Sequence, residues 1–146
     1  MLQTRKFTKT NIRRVGAVSA VLVVALASGT EAQAATGHGK KYGSCQNSVK
    51  IWRTGSKIYA QGKMVCNTVH FVLRPDAGIS AYKNGKFKEV KIGGAKGCPA
   101  VKKCTSKKVS LKAHKGWDYR AANSGTADAD NAWPKNTQAV AWYKYR

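Results

Sequence analysis

The stretch "KIYAQGKMVC", Lys57 to Cys66, decides how the rest of the chain is read. Ile58, Ala60, Gly62, Met64 and Cys66 fall on one parity, with Lys57, Gln61 and Lys63 on the other. A period of two sends successive side chains to opposite faces of a strand, so this stretch predicts a sheet with one buried face. Cys45, Val49 and Ile51 share a parity upstream, and "RTGSK" supplies a turn between the two runs. The hairpin so predicted points Cys45 and Cys66 the same way, inward, where a bridge is geometrically plausible.

The same alternation continues downstream. "TVHFVLR" puts Val69, Phe71 and Leu73 in phase, and Pro75-Asp76 with Gly78 then predicts a turn. In "ISAYKNGKFKEV", Asn84-Gly85 sits between two short alternating runs, and Asn-Gly accepts the positive φ of a type I′ hairpin turn. "GGAKGCPAVKKCTSKK" reads as a Gly/Lys loop. "VSLKAH" points Val109, Leu111 and Ala113 inward, and "GWDYRAA" does the same for Trp117, Tyr119 and Ala121. "NSGTADADNAWPKN" reads as a polar loop. The final run "TQAVAWYKY" is apolar on both faces in its middle, which predicts a central strand with Trp142 and Tyr143 in structural roles. Only Tyr145 and Arg146 are then free for contact. Seven or eight short strands without helical periodicity predict an all-β fold, an immunoglobulin-like antiparallel β-sandwich. A small antiparallel barrel is the alternative.

Residues 1–34 carry a different pattern. Arg5, Lys6, Lys9, Arg13 and Arg14 form a positive segment, an apolar run covers Val15 to Gly29, and Ala32-Gln33-Ala34 matches a cleavage site. That order predicts a secretory signal peptide and an extracellular product. The apolar run falls short of the ~18–20 residues needed to cross a bilayer, so no membrane span is expected. Residues 35–44, Gly-rich and basic, read as a flexible N-terminal arm. Residues 45–146 read as one β-sandwich domain. All four cysteines follow the leader, and an even number in an exported chain predicts two disulfides. Near neighbours close the smaller loops, favouring Cys45–Cys66 and Cys98–Cys104 over the two other pairings. A zinc site is disfavoured because no C-x2-4-C knuckle is present.

Charge is the strongest compositional signal. The full chain has 27 Lys and Arg against 6 Asp and Glu, a formal +21. Beyond the leader there are 18 Lys and 4 Arg against 5 acids, leaving +17. Arginine favours shaped, bidentate recognition, whereas lysine is a hydrated point charge on a flexible stem. The surface therefore suits diffuse attraction. Residues 83–115 hold eleven lysines and one acid, Glu89. This predicts a basic face that speeds encounter with polyanions or acidic proteins. Its candidate contact residues are Lys83, Lys86, Lys88, Lys91, Lys102, Lys103, Lys107 and Lys108, with Lys40, Lys41 and Tyr42 of the arm and Tyr145 and Arg146 at the end. The expected partner is an acidic protein or an anionic envelope polymer. Specific nucleic-acid binding is not expected, since no RRM, KH or helix-turn-helix pattern is present.

Catalytic motifs are missing. His70 and His114 take the outward parity of their strands and read as solvated or cross-strand residues. The acids Asp76, Glu89, Asp118, Asp128 and Asp130 are scattered through the chain. No G-x-S-x-G, H-E-x-x-H or phosphate loop occurs, so no enzyme and no cofactor are expected. Asp128 and Asp130 in "TADADN" offer the hard oxygens that calcium takes, but without the glycine and distal glutamate of an EF-hand loop. An acidic turn is the preferred reading.

The leader and the segments "YGSCQNSVKIW", "IYAQGKMVC" and "GWDYRA" resemble small exported β-sandwich proteins of actinomycetes. More remotely, the size, export signal and arm resemble the small adaptor subunit of secreted toxin particles. Many proteins of the first kind have no known role, and the resemblance carries over no functional residue; the lysine cluster, the arm and the missing catalytic groups point to binding. The expected function is a secreted non-enzymatic interaction module or adaptor. The alternatives are a cationic antimicrobial or envelope-binding protein and a small secreted hydrolase.

Overall fold

The alternation of Lys57–Cys66 is half of a much longer strand. The computed structural model describes residues 34–128 and 133–146; the leader up to Gln33 and Asp130 lie outside the described residues. The strands are β1 (Ala34–His38), β2 (Cys45–Thr54), β3 (Lys57–Arg74), β4 (Ala77–Lys83) and β5 (Lys86–Ile92). They continue with β6 (Cys98–Thr105), β7 (Val109–Lys112), β8 (Trp117–Asn123), β9 (Thr126–Ala127) and β10 (Ala139–Tyr145). One 3-10 turn, Lys135–Thr137, precedes β10, and no α-helix occurs among the described residues. No helix there is long and apolar enough to cross a membrane.

All pairings are antiparallel, and they build two sheets. The first runs β1-β2-β3-β6, with β7 and β9 also on β3. The second runs β10-β8-β4-β5. The inward parities of β2 and β3 meet those of β4, β8 and β10 in one apolar layer. Val49, Ile51, Ile58 and Ala60 pack there with Ile79, Ala81, Tyr119, Ala121, Ala139, Ala141 and Tyr143. A second, smaller cluster gathers Met64, Leu73 and Ala127 around the cysteines of β2, β3 and β6. Both disulfides form as the spacing predicted, Cys45–Cys66 and Cys98–Cys104. Cys45 and Cys66 are direct register partners across the hairpin. In the chain-entropy model the 21-residue separation is worth about 3 kcal/mol and the 6-residue one about 2 kcal/mol.

Several expectations need correction. The described residues hold ten strands, not seven or eight, because three were hidden and two were one. The stretch read as a Gly/Lys loop contains β6, which pairs with β3. The supposed free arm contains β1, paired with β2 from Ala34 opposite Trp52 to His38 opposite Ser48. Glycine permits this. A Cβ on Gly37 would stand 1.8 Å from the Val140 carbonyl oxygen, so β1 lies directly against β10. The runs on either side of Cys66 are one eighteen-residue strand, β3. Its register against β6 shifts between Val65 and His70. Such a bulge resets which face a side chain takes. Val69 and Phe71, expected inside, are therefore 58% and 83% exposed, while Val72 and Leu73 are buried. Finally, β10 is an edge strand, not a central one, and Trp142 is 50% exposed.

Two side chains tie the layers together. Tyr119, fully buried, accepts from the His114 N–H (2.7 Å) and donates to the Lys112 carbonyl (3.0 Å), closing the corner between β7 and β8. Its burial raises the phenol pKa above its ordinary value. Asn123, also fully buried, does more. Its Oδ1 accepts from Asp76 N (2.9 Å) and Gly125 N (3.2 Å). Its Nδ2 donates to Ser48 O (2.9 Å) and Lys63 O (3.2 Å), and lies 3.3 Å from Asn47 Oδ1. Asn123 on β8 thereby joins backbone groups of β2 and β3 in the opposite sheet. Gly62 leaves the room: a Cβ there would stand 2.6 Å from Asn123 Cγ. Asn123→Ala should lower unfolding free energy by about 3 kcal/mol, because it orphans buried donors and acceptors in both sheets. Urea denaturation checks this. A loss below about 0.5 kcal/mol, the usual scale of a surface change, would contradict the assignment.

Candidate functional site

The lysines predicted as contact residues divide into groups. Lys83, Lys86, Lys88 and Lys91 stand exposed on the β4–β5 hairpin, with Asn84 and Gly85 both at positive φ in its turn. β5 is the edge of the second sheet. It lies beside β7, and Gly93, just past β5, donates to the Ala77 carbonyl and closes on Val109. Lys102 and Lys103 on β6, with Lys107 and Lys108 in the β6–β7 loop, are exposed along the corresponding edge of the first sheet. These eight lysines therefore flank one side of the molecule. No lysine makes an ion pair among the described residues.

The other predicted contacts lie elsewhere. Lys40 and Lys41 are exposed in the β1–β2 connection, and Tyr42 packs on Trp133 with ring centroids 5.1 Å apart. Tyr145, expected free, lies under Arg53 at 4.5 Å and accepts from its guanidinium at 3.1 Å. Arg146 pairs with Asp118 at 2.6 Å. The end of the chain is thus engaged with its own strands.

A feature not expected from the sequence covers the outer face of the second sheet. Phe87, Val90 and Ile92 are 58%, 53% and 68% exposed. Tyr82 contacts Phe87 and Trp142 at 6.0 and 5.6 Å, extending an aromatic row across the sheet. A groove of about 190 Å³ runs beside it, lined by Asp76, Gly78, Ser80, Val90, Ile92 and Gln138 among others. Burial raises the Asp76 carboxyl pKa. The alternation of β5 signals this face only after its edge position is known, since the register against β4 shifts between Ala81 and Tyr82.

The first sheet holds a second group. His70 Nδ1 lies 2.7 Å from Asp128 Oδ2, and His70 Nε2 lies 2.8 Å from Ser44 Oγ. His70, read as solvated, is therefore held from both ring nitrogens. Ser44 belongs to the turn closed by the Tyr42–Cys45 bridge, with Gly43 at φ +55. Asp128 follows β9 at φ +56. Its N–H donates to Val72 O at 2.7 Å, and its Oδ1 accepts from Val72 N at 3.2 Å. Arg74 donates to its carbonyl. The carboxylate is thus committed to His70 and Val72, and the cation pair imagined for Asp128 and Asp130 is not shown, Asp130 lying outside the described residues. Cys45, Cys66 and His70 also converge, but the two sulfurs are bridged to each other and offer no thiolate. Separations of 26 and 58 residues hid this group, because only the folded sheet brings its members together.

Comparison with protein-family models, with curated proteins and with solved structures gives no match.

The hydrogen bond from His70 holds the Asp128 carboxyl below its ordinary pKa of 3.8, helped by the Val72 N–H. The folded state therefore favours the ionised form. The resulting stability is complete above pH 3.8 and is lost as pH falls through the lowered value. Asp128 is 44% exposed, so solvent screens the effect and keeps it small. In urea denaturation over a series of pH values, Asp128→Asn should cost a small, constant stability above pH 3.8 that vanishes as pH falls through the lowered value, flattening the acid limb. An unchanged acid limb would contradict the coupling.

Proposed function

We propose that this chain is a secreted interaction module that docks an acidic protein partner along its lysine-flanked β5 edge. The carrying observation is β5 itself: an edge strand on which every residue but Glu89 is exposed, with lysines interspersed among Phe87, Val90 and Ile92. An open edge presents unpaired backbone groups that a partner's strand can complete. Lysines on such an edge repel a second copy and so oppose self-association. An acidic segment removes that repulsion and gains the apolar contacts. The two disulfides and the signal-peptide pattern of residues 1–34 support an extracellular setting.

The framework we infer is an immunoglobulin-like sandwich. Two antiparallel sheets face one another across the main core, and Tyr119 bonds back to the chain a few residues upstream, as the tyrosine corner of that architecture does.

One observation favours a second reading. Eighteen of 22 cations after residue 34 are lysine, which suits attraction to an anionic envelope polymer without shaped recognition. Two variants test the readings, and the second separates them. Reversing Lys83, Lys86, Lys88 and Lys91 to Glu should abolish capture of a partner from culture supernatant under either. Val90→Ser with Ile92→Ser should weaken a protein partner by roughly 30-fold, the scale of a buried hot spot, and leave polymer binding nearly unchanged. Capture unaffected by the charge reversal would defeat both readings.

A further inference from the structure

We propose that Ser44, His70 and Asp128 form an acyl-transfer site that takes carboxylic esters, with Ser44 Oγ as nucleophile. The site is independent of the docking surface, sharing no residue with it.

The hydrogen-bond directions follow from the chemistry. An ionised carboxylate only accepts, so His70 Nδ1 carries the proton facing Asp128 Oδ2 at 2.7 Å. The neutral ring then has its lone pair on Nε2, where Ser44 Oγ–H donates at 2.8 Å. This is the arrangement in which a carboxylate fixes the tautomer of a histidine that deprotonates a serine. Each member is held from outside the group. Asn67 N–H binds the Ser44 carbonyl at 2.9 Å, the β3 bulge aims His70, and Val72 clamps Asp128 by both N–H and C=O. Asp128 keeps a left-handed backbone, at φ +56, without being glycine. Aspartate tolerates that conformation, which turns its carboxylate back toward β3.

The turn also supplies candidate donors for a developing oxyanion. Its closing bonds join Tyr42 and Cys45, in both directions. The N–H groups of Gly43 and Ser44 have no main-chain partner among the described residues. Two other groups approach Nε2: Cys45 Sγ at 3.3 Å and Thr68 Oγ1 at 3.4 Å, with Thr68 Oγ1 also 3.0 Å from Ser44 Oγ. The sulfur is in a disulfide and cannot act as nucleophile. Thr68 is the competing hydroxyl.

In the reaction, Ser44 Oγ bonds to the ester carbonyl carbon and its proton moves to His70 Nε2. The bond from carbon to the leaving oxygen breaks, and that oxygen departs as an alcohol with the proton from Nε2. A water then attacks the acyl-serine, giving its proton to Nε2. The acyl–Oγ bond breaks, Ser44 regains that proton, and a carboxylic acid leaves. Ester and water become acid and alcohol, with no redox change. His70 and Ser44 are half-buried, and Lys40 and Lys41 stand exposed beside the turn, which suits small esters bearing negative charge.

The test uses the full chain and a fluorophosphonate probe. Eighteen lysines make simple acylating esters unreliable reporters, whereas the probe targets activated hydroxyls. Peptide mass spectrometry should find one adduct, on Ser44. Ser44→Ala, a small change at a half-buried turn residue, should abolish it with the thermal midpoint nearly unchanged. His70→Gln should slow labelling at least ~100-fold, the scale of general-base assistance. Asp128→Asn should slow it also, because the wrong tautomer is favoured. No adduct on the wild-type chain, an adduct on Thr68 instead, or labelling at an undiminished rate in His70→Gln would each overturn the proposal.

Discussion

The two sheets are registered by one buried amide. Burial and dispersion have no preferred direction, so apolar packing alone gives less uniqueness than stability. Asn123 adds direction by reaching from β8 to the carbonyls of Ser48 and Lys63 on the opposite sheet. Each of those bonds has a required length and direction, and each is shielded from water, so a displaced arrangement would strand several polar groups at once. Asn47, buried beside it, extends the same network to Gly125 O at 2.8 Å. The amide pair sits between the main apolar layer and the smaller cluster around the disulfides. It thereby separates a part of the domain held by packing from a part held by covalent bonds.

That division bears on where function resides. The packed part ends in β5, whose outer side carries unusual apolar exposure between lysines. The stapled part carries Ser44, His70 and Asp128, three groups delivered by a turn, a bulge and the residue after a two-residue strand. Irregular backbone is what permits those side chains to converge, because a regular ladder would send them to alternate faces. The disulfide Cys45–Cys66 lies directly beneath, joining the residue after Ser44 to the strand that carries His70. Its covalent constraint limits how far turn and bulge can drift apart.

Legibility of the sequence followed the regularity of the backbone. Where alternation is unbroken, from Lys57 to Cys66 and in Trp117–Ala121, parity identified the inward side chains and supported the Cys45–Cys66 pairing, while Cys98–Cys104 followed from spacing alone. Where a bulge intervenes, parity failed: Phe71 is predicted inside and stands in solvent. β6 was hidden because glycine, lysine and proline mask a strand whose identity comes from its neighbour β3. Trp142 misled because two apolar faces suggest a central strand, while β10 covers its inner face with small alanines and leaves Trp142 bare. Asn123, within a polar run, gave no sign that it is fully buried. The Ser44–His70–Asp128 group has no local signature at all, since its three members come from separate elements.

β3 has a further consequence, for how the molecule assembles. One continuous ribbon serves as template for β2, β6, β7 and β9. Only β2 is its neighbour along the chain. The β2–β3 hairpin is the sole local starting point on that ribbon, and it is also where the first bridge closes. The remaining three strands must return over long loops, whose closure entropy is lost before any pairing compensates it. Acquisition of the native state is therefore slow relative to a helical domain of equal size, and until it finishes one flank of the ribbon stays unzipped. Oxidation at the hairpin early in that interval would hold the template open for the strands that arrive last.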